Sequence, residues 1–247
     1  MYFSALLYGN VDPEDKSNCG GAIISENIIL TAAHCVDETD PKLKELDRVR
    51  VGHSDQFSPE IKSATIEKKM IHSGYGRNKE FKYFINDIAL LKLSQPLKFD
   101  ETLAPICLPS ADTITKDDLT LAGWGLTEGG NIKSRPQILQ VVGLNHVTLD
   151  DCNAEFKDLT KKPNFEFWDR VVCASGKKGK TDGCQGDSGG PLIQPIDNDD
   201  EENKIHEAVG VVSFGVGREC VSTVSSVYTR VSKYLDWIED FVYENRP

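Results

Sequence analysis

The sequence predicts an all-β protein, and three observations carry that expectation. Short runs rich in β-branched and aromatic residues recur along the 247 residues. Turn-forming clusters separate them at short intervals. Only two segments show a helical period. Strands spaced this closely favour a barrel or sandwich over alternating βα units.

The elements follow in chain order. Tyr2 to Tyr8 alternates like a strand, and the start of the chain has neither a basic n-region nor a small-residue cleavage site, so it does not read as a signal peptide. Arg48 to Val51, Lys62 to Met70 and Ile88 to Leu93 read as further strands. The polar, strand-poor stretch PSADTITKDD, Pro109 to Asp118, falls near mid-chain and reads as the link between two halves. Ile138 to Val147 and Glu207 to Phe214 are strands of the second half. A short helix is expected around Leu149 to Leu159. A second is expected from Val231, where Val231, Tyr234, Leu235, Ile238, Phe241 and Val242 form one apolar stripe that would pack on the outer wall of the β-structure. No internal repeat at a fixed period is visible.

Bulk properties exclude several functions. There is no apolar run of about 18 residues, hence no membrane-spanning helix, and a net charge of -11 argues against nucleic-acid or anionic-lipid partners. The acidic run PIDNDDEENKIHE, Pro195 to Glu207, lacks the glycine and glutamate that a helix-flanked calcium loop requires and reads as a solvated hairpin loop. HSDQFSPE after Gly52 is short and poor in carboxylates, so no metal site and no cofactor are expected. Seven cysteines without a C-x-x-C pair point to disulfides and an oxidising compartment, and the odd count leaves one for a free thiol or a bond to another chain.

The chemistry-bearing residues lie in three motifs. Nucleophilic catalysis by serine needs a base, an acid to orient the base, and donors for the developing oxyanion. LTAAHC puts His34 in a small-residue turn after an apolar strand, NDIALLKL puts Asp87 at the mouth of a strand, and TDGCQGDSGGPL puts Ser188 among four glycines. Each alone has a plain structural explanation; the order His, Asp, Ser, each within its own motif, does not. Gly186 to Gly190 also fits the G-x-S-x-G elbow of α/β hydrolases. That fold places its histidine after the serine. Here the only later histidine is His206, in the acidic loop, so chain order rejects the elbow.

With these motifs, and with CGGAII, PICLP, LAGWG and VYTRV, the chain resembles the chymotrypsin-like (trypsin-like) serine endopeptidases over essentially its full length, most closely the arthropod clip-domain proteases. The resemblance implies two six-stranded antiparallel Greek-key barrels, the first over about 1–108, the second over about 119–230, with a C-terminal helix over about 231–244. It implies a catalytic triad of His34, Asp87 and Ser188, and an oxyanion hole of the Gly186 and Ser188 N–H groups. Asp182 would floor a specificity pocket that takes Arg or Lys, since a buried carboxylate demands a cation. Ser213 and Gly215 would pair with extended substrate. Ser226 stands where many relatives have glycine and would narrow the pocket. The implied disulfides are Cys19 with Cys35, Cys152 with Cys173, and Cys184 with Cys220. That leaves Cys107 for an interchain bond to an N-terminal, clip-like regulatory segment.

Family members are zymogens in which a newly exposed N-terminal ammonium meets the aspartate before the nucleophile, here Asp187. As written the chain starts at the strand downstream of that segment, so we expect it to be part of a longer secreted precursor and, alone, to be zymogen-like. The expected function is an extracellular cascade endopeptidase acting on protein substrates and checked by serpin-type inhibitors. The alternative is a non-catalytic homologue acting as cofactor or scaffold.

Overall fold

The computed structural model describes residues 3–8, 19–37, 39, 46–111, 113, 115–176, 183–196, 205–216, 220 and 224–246. Asp182, Met1, Tyr2 and most of the acidic run, 197–204, lie outside the described residues. Fourteen strands are present among those described: β1 (Phe3–Tyr8), β2 (Cys19–Ile23), β3 (Ile28–Thr31), β4 (Leu46–Val51), β5 (Lys62–Ile71), β6 (Gly76–Arg77), β7 (Phe84–Ile85), β8 (Ala89–Leu93), β9 (Leu119–Gly123), β10 (Gln140–Val147), β11 (Val171–Gly176), β12 (Pro191–Pro195), β13 (His206–Phe214) and β14 (Ser226–Arg230). The helices are α1 (Leu149–Thr160) and α2 (Leu235–Glu244).

Two closed six-stranded barrels account for twelve of the strands. The first runs β1-β2-β3-β8-β5-β4 and closes through β1 and β4; the second runs β10-β11-β14-β13-β12-β9 and closes through β9 and β10. All pairings are antiparallel. In each barrel the third strand pairs with the sixth rather than the fourth, so both barrels share one Greek-key order. Closure leaves no open sheet edge, and β6 and β7 form a small ribbon outside the barrels.

The strands that alternation does not reveal are buried on both faces. All four residues of β3 are buried, as are seven of the nine in β13. Such strands read as continuous apolar runs rather than alternating ones. By contrast β5 exposes about every second residue over its first half, and its period is plain in the sequence.

Helix α1 starts where Thr148 Oγ1 accepts from Asp151 N at 3.2 Å, with Asp150 and Asp151 in the first turn. It ends on Lys161 in the left-handed region. Its buried face, Cys152 and Phe156, joins Phe165, Phe167 and Val227 in an aromatic cluster, fixed by the Cys152–Cys173 disulfide. The C-terminal stripe begins with a 3-10 turn at Val231–Lys233 and continues into α2. Although α2 follows the second barrel, Ile238 and Phe241 pack into the cluster that holds the core of the first. Burying each is worth about 1.5–3 kcal/mol. Asn27 Nδ2 donates to Asn245 O at 2.7 Å, fastening the helix end to the first barrel.

A second seam joins the barrels beside the site. Gln56, fully buried, donates through Nε2 to Pro136 O at 2.8 Å and through its backbone N to Gln137 O at 3.1 Å. Ser54 O accepts from Trp124 Nε1 at 2.9 Å and from Leu139 N at 2.8 Å.

Candidate active site

His34 sits in the 3-10 turn Ala33–Cys35, directly after β3. The Cys19–Cys35 disulfide ties that turn to the start of β2. The imidazole stacks on Phe84, with ring centroids 5.0 Å apart and planes 9° from parallel. Stacking fixes the ring plane, and Asp87 fixes its rotation: Nδ1 donates to Asp87 Oδ2 at 2.7 Å, while the backbone N of His34 donates to Oδ1 at 2.9 Å. A carboxylate facing Nδ1 holds the proton there and leaves Nε2 as the acceptor nitrogen.

Asp87 is fully buried, and the second barrel grips it too. Ser213 Oγ donates to its Oδ2 at 2.5 Å, and Thr229 Oγ1 donates to its backbone carbonyl at 2.8 Å. Asn86, just before it, has φ 49, a region non-glycine residues seldom adopt. Three hydrogen bonds hold Asn86 there: Nδ2 donates to Gly74 O at 2.7 Å, and Oδ1 accepts from Arg170 Nη1 and Tyr234 Oη, both at 2.9 Å.

The Ser188 loop lies against the same segment. Gly20 N, beside Cys19, donates to Ser188 O at 2.7 Å. Gly189, at φ +78, passes so close to Gly20 O, 2.6 Å from where a Cβ would stand, that only glycine fits. The loop is closed from the other side by the Cys184–Cys220 disulfide and by Gly189 N donating to Val212 O at 2.9 Å. Among the described residues, Asp187 N, Gly189 N and Gly190 N each meet a backbone carbonyl, whereas the N–H groups of Gly186 and Ser188 meet none. Those two donors are the pair expected to receive an oxyanion. The Ser188 hydroxyl makes no hydrogen bond to the imidazole among the described contacts; catalytic hydrogen bonds are often long before substrate binds.

The Asp187 carboxyl turns inward. Oδ1 accepts from Gly125 N and Oδ2 from Cys184 N, each at 2.8 Å. Burial pushes its pKa up, opposed by these two amides and by the Arg135 guanidinium. Gly123 and Gly125 make room for it, since a Cβ on either would overlap the carboxylate. Sequence reasoning quoted both glycines in LAGWG, Asn86 in NDIALLKL and Thr229 in VYTRV without seeing these uses, and it missed Phe84 and Arg135 altogether.

The expected pocket is described in part. Ser226 opens β14 and is buried, and its Oγ lies 3.2 Å from where a Cβ on Gly215 would stand. Ser213 spends its hydroxyl on Asp87. Asp182 is outside the described residues. Cys107 is exposed and forms no disulfide among the described residues, yet its backbone is anchored to β13, with Ala208 N donating to Cys107 O at 2.9 Å. His34 approaches the sulfurs of Cys19 and Cys35, but those sulfurs are bonded to each other and offer no thiolate to a metal.

Two closed antiparallel barrels, joined at a buried Asp–His pair and a glycine-hemmed serine, define the class of two-barrel serine endopeptidases. The trypsin family profile matches residues 4–238, and the chain belongs to that family. It is 36% identical to a phenoloxidase-activating enzyme of Bombyx mori, over 91% of this chain and 54% of the relative. It is 34% identical to CLIP domain-containing serine protease B4 of Anopheles gambiae, over 92% of this chain and 62% of the relative. Trypsin-1 of Astacus astacus is 34% identical, over 90% of this chain and 86% of the relative. The chain therefore spans about half to three-fifths of the first two.

Proposed function

We propose that the chain is the catalytic domain of a secreted endopeptidase that cleaves after Arg or Lys within an extracellular activation cascade. The observation that carries the reading is the 2.7 Å bond between His34 Nδ1 and Asp87 Oδ2, with the Ser188 loop packed against the segment that holds the imidazole. In this reading Ser188 Oγ attacks the scissile carbonyl carbon while His34 Nε2 takes its proton. The oxyanion is received by the Gly186 and Ser188 N–H groups. The tetrahedral species collapses as the same Nε2 protonates the departing amine, and water repeats the cycle on the acyl-enzyme.

The basic specificity rests on Asp182, six positions before Ser188, because a carboxylate at a pocket floor selects a cation. The cascade setting rests on relatives whose names describe phenoloxidase activation and a CLIP domain. Protein substrates, serpin-type inhibitors and a clip-like segment bonded to Cys107 belong to the same proposal; the exposed thiol, held by its backbone on β13, suits such a bond.

Labelling with a fluorophosphonate, on protein that carries an activated N-terminus, tests the reading: Ser188 Oγ should bond to phosphorus as fluoride leaves, and the activated protein should hydrolyse an arginine amide. S188A should lose both. Hydrolysis unchanged in S188A, or no labelling of the activated parent, refutes the proposal. Ser226→Gly removes a side chain from the pocket wall, and one small group in a pocket is worth about 1–3 kcal/mol. We expect S226G to raise kcat/KM for arginine amides by about tenfold or more, with a smaller gain for lysine amides. Equal gains for both would show that Ser226 does not shape the pocket for the longer side chain.

A further inference from the structure

We propose that Asn86 is a positioning residue that aims Asp87 at His34, held in that role by Tyr234 and Arg170; this rests on the peptidase reading above. Asn86 adopts φ 49 immediately before the residue that orients the imidazole. A backbone in a sparsely populated region persists only where its surroundings over-determine it. Asparagine is among the few residues that tolerate the left-handed region. The main chain adds a tie of its own: Ile88 N donates to Asn86 O at 2.9 Å, so the turn closes over Asp87 and sets the direction in which its side chain leaves.

The three bonds to the Asn86 amide come from three parts of the molecule. Gly74 O, which accepts from Nδ2, lies in the loop after β5. That loop is fixed in turn, because Gly74 N donates to His72 Nδ1 at 3.1 Å and His72 N donates to Ile88 O at 3.2 Å. A Cβ on Gly74 would stand 2.7 Å from Asn86 Nδ2, so this approach needs glycine. Tyr234, only 3% exposed, comes from the C-terminal segment between the 3-10 turn and α2. Burial pushes its phenol up to about 12, so it stays a hydrogen donor at neutral pH. Arg170 is exposed and directly precedes β11 of the second barrel, and its guanidinium stands over the Tyr234 ring, 5.8 Å from the centroid. Two donors on Oδ1 and one acceptor on Nδ2 leave the amide a single orientation. Ser213 and Thr229 grip Asp87 itself; Asn86 governs the angle at which Asp87 arrives, and a catalytic group displaced by about 1 Å can cost 10^2-fold.

The test compares N86G and Y234F/R170A with the parent. Two quantities are read: kcat on protein that carries an activated N-terminus, and the low-field proton resonance of the His34 Nδ1–H shared with Asp87. Glycine keeps the left-handed turn and removes the side chain. N86G should lower kcat on an arginine amide by about ten- to a hundredfold, and its resonance should move upfield or broaden away. KM should change less than about threefold, because the residues expected to bind substrate are left alone. Y234F/R170A strips both donors from Oδ1 but keeps the asparagine, and should lower kcat by about fivefold or more. N86G turning over within about threefold of the parent overturns the proposal, since the backbone turn alone would then suffice. A loss of kcat with the resonance unmoved overturns it too, because the effect would then bypass the Asp–His pair. Should N86G not fold, Y234F/R170A decides: a lower kcat with a moved resonance supports the grip, and a parent-like value of either overturns it. The resonance needs no turnover. If the activated parent is not labelled by a fluorophosphonate, the peptidase reading falls, while the resonance of N86G still decides whether Asn86 aims Asp87.

Discussion

Asp87→Asn should lower kcat on an arginine amide by about 10^4-fold and leave the fold intact, the loss seen for the same exchange in the reference enzyme of this class. The reason here is a count of donors. Asp87 accepts from His34 Nδ1, His34 N and Ser213 Oγ on two oxygens. An amide replaces one of those oxygens with an NH2 donor. Placed at the Oδ1 site, the NH2 would face the His34 backbone N–H, leaving both donors unsatisfied at about 1–3 kcal/mol. Placed at the Oδ2 site, it forces the imidazole to accept at Nδ1 and to carry its proton on Nε2, the nitrogen proposed to take the proton from Ser188. The stable arrangement is therefore the inactive tautomer. Steady-state kinetics with a melting curve checks this, and a loss under about 100-fold would refute the tautomer argument.

Gly123→Ala should abolish most activity from a position that touches no substrate. A Cβ on Gly123 overlaps the Asp187 carboxylate, with Cγ only 2.9 Å away. The carboxylate must move off Gly125 N and Cys184 N, and the Gly186–Ser188 turn moves with it. We expect kcat to fall by about 10^2–10^3, the scale of one oxyanion donor. Overpacking should lower stability by about 1–3 kcal/mol. Gly76→Ala is the control, because a Cβ there meets nothing within 4 Å. Active-site titration and urea unfolding of the two variants decide it. Equal activity of the two would mean that Asp187 does not govern the donor pair.

How much of this was legible from the sequence depended on whether a residue carried its own signal. The half-exposed strands β5 and β10 showed their period, and so did the apolar stripe of α2. Strand β3 showed no period, because burial on both faces erases alternation, and like its neighbour β8 it was legible only as an apolar run. The shared pairing order of the two barrels left no trace as a sequence repeat, since it is written in topology. At the site, His34, Asp87 and Ser188 stood out through motif and order. Phe84, Asn86, Thr229 and Arg135 had no such mark: each acts through a neighbour that only the closed barrels bring near, Thr229 from 142 positions away in sequence. The glycines of LAGWG were visible as glycines, but the carboxylate they admit comes from a different strand connection.

The grip on Asp87 from both sides has a consequence for how the molecule fails. Its side chain orients an imidazole of the first barrel, while hydroxyls of the second, Ser213 and Thr229, hold it. The Asp–His pair is thus a property of the seam, and neither barrel owns it. Under gentle denaturant, a slight parting of the barrels silences the chemistry while each barrel still keeps its strands paired. Turnover then becomes a gauge of how the two halves are seated, and it should fade before circular dichroism records any loss of sheet.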